Sequence, residues 1–79
     1  MSNPYERFQI GDEVVNRNSG VKGIVTKRIW LPIVKSHAYE YRCEFVADEL
    51  NGSQTVWMKV RSPYVMTVSE FDLDEARNY

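Results

Sequence analysis

The strongest constraint on the fold lies in residues 8–30, where two strand-like stretches flank a turn. The sequence Asn-Ser-Gly at 18–20 favours a turn because Asn and Gly tolerate positive φ. Valine and isoleucine on either side favour extended backbone. The stretch therefore predicts an antiparallel hairpin, with strands at about 12–16 and 22–30.

Two glycines are expected to bend these strands. Gly11 and Gly23 lie near the strand ends, where a missing Cβ permits a sharp bend and a close approach of neighbouring backbone. Such bends let a short sheet curl on itself. In the first strand we place Val14 inward and Val15 outward, but the opposite register stays open, because a slip of one residue exchanges the two faces.

The second strand is expected to be long and to leave the barrel. Both faces of residues 22–30 mix apolar and charged side chains, which is typical of a bent strand whose second half forms one arm of a projecting hairpin, at about 24–41. The connection at 31–37 is unusually apolar, and Pro32 prevents central-strand pairing there. Such a connection would form an exposed apolar patch unless it folds back as a lid or is covered by a partner, and both alternatives stay open. The candidate protein-binding residues are Trp30, Leu31, Ile33 and Val34.

The cleanest alternation in the chain falls at residues 38–46. Tyr39, Tyr41, Cys43 and Phe45 occupy one face, and three charged residues occupy the other. An alternation with a period of two predicts a strand with one face on the core.

A fourth strand is predicted after a tight turn. Asn-Gly at 51–52 favours a type I′ turn, and a strand follows at about 54–60. We place its aliphatic side chains inward and Trp57 on the outer surface, with the reverse arrangement left open. The aliphatic residues are Val56, Met58 and Val60.

The end of the chain predicts a fifth strand and a short helical turn. Residues 61–63 contain a proline and are expected to break the run before a last strand at 64–68. Ser69 or Asp72 is a suitable cap for a short helix. The expected organisation is a flexible lead at 1–7, a barrel at 8–71 and an acidic tail at 72–79.

Length and composition limit the class of protein. A chain of 79 residues forms one domain, and a domain of this size buries only roughly 60% of its unfolded surface. Cys43 is the single cysteine, so neither an intrachain disulfide nor a structural zinc site is expected. We predict no cofactor, no metal and no small-molecule substrate. The polar start and the lack of a long apolar run predict no membrane association, and we expect a cytoplasmic protein.

The opening of the chain also resembles that of SH3-like barrels. KOW and Tudor-like modules, including the Tudor-like RNA-polymerase-binding domain of the CarD type, often begin with an apolar residue, Gly-Asp, a valine strand, Gly-Val and a second valine strand. The resemblance implies an all-β fold, a small five-stranded antiparallel SH3-like barrel, and informs the fold more than the activity. A compact module of this kind suits a bacterial or phage regulatory protein. The residues that carry the resemblance are Phe8, Gly11, Asp12, Val14, Val15, Gly20, Val21, Gly23 and Val25.

Charge is distributed unevenly along a chain with a net charge of −1. Residues 17–42 carry six basic side chains and one acid, a local balance of +5, whereas residues 63–79 carry four acids and one base, a balance of −3. The basic group is either a nucleic-acid contact surface or a solvated hairpin face. The candidate nucleic-acid-binding residues are Arg17, Lys22, Lys27, Arg28 and Lys35.

Two other groups of residues have both a functional and a purely structural interpretation. Tyr39, Trp57 and Tyr64 are candidates for an aromatic surface, which together with Trp30 would hold a methylated cation, or else they are packing residues. Cys43 and His37 are a conceivable nucleophile and base, but a thiol on the apolar face of a strand is typical of a core. We therefore expect a non-catalytic binding module that associates with a protein partner or with itself through the 24–41 hairpin, with nucleic-acid binding as the alternative.

Overall fold

The chain forms one antiparallel sheet of five strands in a computed structural model that describes residues 7–48 and 56–76. The strands lie in the order β4-β3-β2-β1-β5, and the sheet curls into a half-barrel. The all-β, five-stranded antiparallel prediction is therefore confirmed. In chain order the elements are β1 (Glu13–Asn16), β2 (Val21–Leu31), β3 (Ser36–Asp48), β4 (Val56–Ser69), a 3₁₀ turn (Glu70–Asp72) and β5 (Leu73–Glu75).

The predicted turn between β1 and β2 is present and has a side-chain clamp. The Oδ1 atom of Asn16 accepts hydrogen bonds from the backbone N–H groups of Asn18 (2.8 Å) and Ser19 (3.3 Å). Gly20 has φ +71° and donates its N–H to the Asn16 carbonyl at 2.8 Å. A buried Asn that bonds the following backbone favours a turn over further strand, and β1 ends there.

Gly23 allows β2 and β3 to approach closely. A Cβ atom at this position would lie 2.0 Å from the carbonyl oxygen of Arg42. The β2–β3 register shifts between Lys22 and Gly23 and again between Val25 and Lys27. Bulges of this kind bend a strand and increase its twist, so the predicted bend and close approach at Gly23 are confirmed.

The core fills the concave side of the sheet. The alternation predicted for β3 is confirmed from Tyr39 to Cys43, because Tyr39, Tyr41 and Cys43 are fully buried. The prediction for Phe45 was wrong, because the register shifts after Cys43, so that Phe45 lies under Lys22 and Val46 packs against the buried cluster instead. Val15, which was placed outward, is also fully buried, so that prediction was wrong. Its cross-strand neighbours are Lys22 and Asp74, which are held in ion pairs and flank it. The buried cluster comprises Phe8, Val14, Val21, Val25, Tyr39, Tyr41, Cys43 and Leu73.

The predicted faces of strand four are present, because Met58 pairs with Val46, which packs against the buried cluster, and Trp57 lies on the opposite face with Lys22. The expected burial of the aliphatic side chains was wrong. Val56 and Met58 are exposed, whereas Trp57 is half-buried. The Lys22 ammonium lies 4.4 Å from the centre of the Trp57 ring and 4.9 Å from that of Phe45. A cation over aromatic rings is attracted to them, so this contact partly covers Trp57 on the outer face of the sheet.

The predicted break at 61–63 is a bulge within one strand. Phe45 pairs with Lys59 and Cys43 pairs with Tyr64, so four residues of β4 lie opposite Glu44 alone. Both halves of β4 pair with β3, and the expected separate strand at 64–68 was wrong. The predicted turn at 51–52 lies outside the described residues.

The sheet continues beyond the predicted domain boundary at residue 71. Leu73–Glu75 forms β5 and pairs with β1, and Leu73 is fully buried. This stretch belongs to the sheet, although it was assigned to an acidic tail. The short helical turn is confirmed at Glu70–Asp72, where Ser69 Oγ accepts the Phe71 N–H at 3.3 Å. Across residues 7–48 and 56–76, no helix is long and apolar enough to span a bilayer.

Candidate protein-binding surface at the hairpin tip

The second half of β2 and the first half of β3 form a projecting arm. Pairing continues along this arm to Leu31 and Ser36, beyond the short strand β1, which pairs only with residues 22–24 of β2. The molecule is accordingly elongated, with principal extents of 40 × 26 × 23 Å. The predicted division of β2 into a barrel half and a projecting half is thus present in the sheet.

A four-residue turn closes the arm. Residues 32–35 connect Leu31 to Ser36, and Lys35 has φ +52°. Pro32 cannot donate to the ladder, so β2 ends immediately before it. Left-handed backbone at a non-glycine residue costs roughly 1–2 kcal/mol, and the paired arm below the turn supplies the contacts that hold it.

Four large apolar side chains are exposed at this end of the molecule. Ile33 is 96% exposed and Trp30 50%, and Leu31 and Val34 are also exposed. We call these four residues the tip patch. The described part of the chain does not fold over them as a lid, so the apolar surface faces solvent.

A column of aromatic rings connects the tip patch to the core. The Trp30 ring lies 4.9 Å from that of His37, which lies 6.1 Å from that of Tyr39, and the Tyr39 ring meets Phe8 edge-on at 5.4 Å. The Phe8 N–H also donates to the Tyr39 hydroxyl at 3.2 Å. Aromatic pairs at these separations stabilise their arrangement, so the arm is anchored by side chains as well as by its ladder.

Two of the predicted nucleic-acid-binding residues are occupied by contacts within the chain. Arg17 donates to the Phe71 carbonyl and pairs with Asp74 at 3.7 Å. The Lys22 ammonium lies 3.6 Å from the Glu13 carboxylate and over the two rings described above. Both cations therefore contribute to the barrel.

The five predicted basic residues do not lie on one surface. Arg17 precedes β2 and Lys35 follows it, so they lie at opposite ends of an eleven-residue strand, about 30 Å apart. Lys27 is exposed and Arg28 is half-buried on the arm. Only the last three, Lys27, Arg28 and Lys35, share the end of the molecule that carries the tip patch.

The three predicted aromatic-surface residues also lie apart. Tyr39 is fully buried in the core, so its assignment to a surface was wrong. Its alternation with charged residues on β3 already placed it inward. Trp57 is half-buried at Lys22, and Tyr64 is exposed on the second half of β4.

Cys43 and His37 do not form a reactive pair. They lie on the same strand six residues apart, a separation of about 20 Å along extended backbone. Cys43 is fully buried, and burial raises the pKa of its thiol. A buried thiol with a raised pKa is a poor nucleophile.

The described residues contain no group of three His, Cys, Asp or Glu side chains placed to hold a metal ion. Comparisons with protein families, with curated proteins and with solved structures give no match to this chain. The resemblance to KOW and Tudor-like barrels therefore stays a prediction from the residues quoted above.

Sequence reasoning missed a second apolar surface, on β4. Tyr64, Val65 and Met66 are all exposed, although they are consecutive and point to alternate faces of the strand. We call these three residues the edge patch. The available signal was the uncharged stretch at 62–69, which lies between Arg61 and Glu70 in a chain otherwise rich in charge.

Proposed function

We propose that this protein is a small non-catalytic module that binds a protein partner through the tip patch. The exposure of Trp30, Leu31, Ile33 and Val34 on an anchored arm is the observation that carries the proposal. Solvent-exposed apolar clusters of this kind are typical of protein interaction sites. A paired and ring-anchored arm presents them with little conformational entropy left to lose on binding.

The charges beside the tip patch indicate the kind of partner. Residues 24–41 carry Lys27, Arg28 and Lys35 against the single acid Glu40, a balance of three minus one, or +2. An apolar groove bordered by acidic side chains complements such a tip. Charge complementarity at a rim speeds association and makes it sensitive to salt.

The test replaces the most exposed apolar residue of the tip. Fully burying an isoleucine side chain is worth about 1.5–3 kcal/mol, so Ile33→Asp is expected to weaken partner binding roughly tenfold to more than a hundredfold. The matched control is Ile10→Asp, because Ile10 is 65% exposed and lies outside the hairpin. Both variants should retain the wild-type melting temperature, since neither residue belongs to the buried cluster.

Affinity capture with the three proteins, quantified by mass spectrometry, separates the outcomes. Proteins retained by the wild type and by Ile10→Asp but lost with Ile33→Asp are partners of the tip. If Ile33→Asp captures the same proteins as the wild type with the same yield, the tip patch is not the binding surface.

Nucleic-acid binding is the weaker candidate. Arg17 and Lys22, two of the five predicted cations, are held by Asp74 and Glu13, which reduces the charge available for phosphate contacts. Its test is retardation of DNA and RNA at low salt, with binding reduced by joint Lys27→Ala and Arg28→Ala substitution. Cytoplasmic location likewise stays a prediction.

A further inference from the structure

The outer edge of β4 is an open position in the sheet. β4 is the terminal strand in the order β4-β3-β2-β1-β5, and in the described ranges it pairs only with β3. An edge strand presents unpaired backbone N–H and C=O groups that can template a further strand. Addition of a strand to such an edge is a common mode of protein association.

The two halves of β4 differ in how well their edge is protected. The first half and the bulge contain Lys59, Arg61 and Pro63, and charge, bulges and proline are the usual means of blocking edge pairing. Residues 64–69 contain none of these features. At the opposite edge of the sheet, β5 is only three residues long and carries two acids. The second half of β4 is therefore the least protected long edge in the described sheet.

The side chains of the second half of β4 are also exposed to solvent. The edge patch has exposed members on both faces of the strand, with Val65 56% exposed. Their partners on β3 include Arg42 and Cys43, opposite Val65 and Tyr64. A strand added alongside β4 would contact the patch on both faces through cross-strand pairs.

We propose that the second half of β4 pairs antiparallel with the same strand of a second copy of this chain. Charge complementarity indicates that the added strand comes from a second copy of this chain. Residues 56–61 carry two cations, Lys59 and Arg61, and the turn at 70–72 that follows β4 carries two acids, the half-buried Asp72 and the buried Glu70. Antiparallel self-pairing brings the basic end of each strand beside the acidic turn that follows the other, whereas parallel pairing would place like charges together.

The dimer is isologous and reversible. A two-fold axis through the uncharged stretch makes both copies contribute the same residues. Six paired residues give a contact about 20 Å long, and its area is smaller than that of a standard interface, roughly 800 Å² per partner. The complex is thus expected to dissociate on dilution.

The pairing also determines where the two tip patches lie. Ala38 pairs with Ser69 at the end of β4, and the arm extends beyond that point. Antiparallel strands point in opposite directions, so the two arms leave the joined sheet at opposite ends. The dimer is therefore a bivalent module.

The test is sedimentation equilibrium over about 10 μM to 1 mM. The wild type is expected to shift from monomer to dimer, and Val65→Lys is expected to raise the dissociation constant at least tenfold. Ile33→Lys, at the tip, should change it less than twofold. Arg61→Glu should weaken the dimer and Lys27→Glu, an exposed cation on the arm, should not. Unchanged melting temperatures exclude unfolding as the cause.

Several results overturn the proposal. The proposal is wrong if the wild type remains monomeric at the highest concentration. It is also wrong if Val65→Lys dimerises like the wild type. A second measurement applies if both lysine variants dissociate. A cysteine introduced at Val65, Met66 or Thr67, one position at a time and away from Tyr64, which pairs with the native Cys43, should give an intermolecular disulfide at the position next to the axis. Its absence at all three positions rejects the pairing. Capture through the tip patch does not depend on dimerisation, so Val65→Lys retains partners that Ile33→Asp loses.

Discussion

Replacement of Gly23 by alanine should destabilise the fold more than any other single methyl addition at a described glycine. The new Cβ would lie 2.0 Å from the Arg42 carbonyl oxygen and 2.7 Å from its carbonyl carbon. Backbone atoms cannot rotate away as a side chain can, so β2 and β3 must separate by more than an ångström at their bulge. Overpacking costs typically 1–3 kcal/mol and sometimes more, and we expect about 3 kcal/mol here.

That loss is large for a domain of this size. A 79-residue fold has a free energy of unfolding of about 4–12 kcal/mol. With an unfolding entropy of about 0.17 kcal/mol/K, a loss of about 3 kcal/mol lowers the melting temperature by roughly 18 °C. Thermal unfolding followed by far-UV circular dichroism measures the shift directly.

Gly20→Ala is the matched control, because it adds the same methyl group without the clash. Its Cβ would meet only the Ala47 Cβ at 3.5 Å, an ordinary contact, although φ is +71°. Left-handed backbone at alanine costs about 1–2 kcal/mol, and the stiffer unfolded chain offsets part of this cost. We expect a fall of about 6 °C. If Gly23→Ala melts within a few degrees of Gly20→Ala, the close approach of β2 and β3 is not what requires glycine at position 23.

Two further predictions concern buried titratable groups. Burial raises the pKa of Tyr41 from 10.0 to about 12. The unfolded chain ionises first, so the contribution of Tyr41 to the free energy of unfolding should be constant below about pH 10 and fall by roughly 2–3 kcal/mol towards pH 12. Urea unfolding at each pH measures this loss, Tyr41→Phe should reduce it, and an identical loss in that variant contradicts the assignment. Cys43 is fully buried, and burial raises the pKa of its thiol, so iodoacetamide should label the chain only as it unfolds. Labelling of the native protein at the rate of the urea-unfolded chain would contradict the burial.

From Tyr39 to Cys43 the alternation of apolar and charged residues in β3 matches the observed burial, so this part of the strand could be predicted from the sequence. Tyr39, Tyr41 and Cys43 alternate with charged residues, and all three are buried. In β4 the same reasoning gave the faces but not the burial, because Val56 and Met58 are exposed and Trp57 is covered by Lys22, a residue 35 positions earlier. The partial burial of Trp57 depends on a distant cation, which no pattern within residues 56–60 reveals.

The candidate site could likewise be predicted from the sequence only in part. The apolar run that ends at Val34 and the strand break at Pro32 predicted the tip residues. Their exposure depends on whether any other segment folds over them, which is a tertiary property. β5 was missed because Leu73, Asp74 and Glu75 are too few and too acidic to resemble a strand, and they become one only by pairing with β1.

The pairing of β1 with β5 has a consequence for biosynthesis. It joins Val14 to Glu75, about sixty positions apart, so the sheet acquires its last strand only when nearly all of these residues have left the ribosome. Until then Leu73 is missing from the buried cluster, and the valines of β1 have no neighbour on that side. Contacts between distant residues form slowly, so we expect the nascent chain to remain open to proteases until β5 has paired.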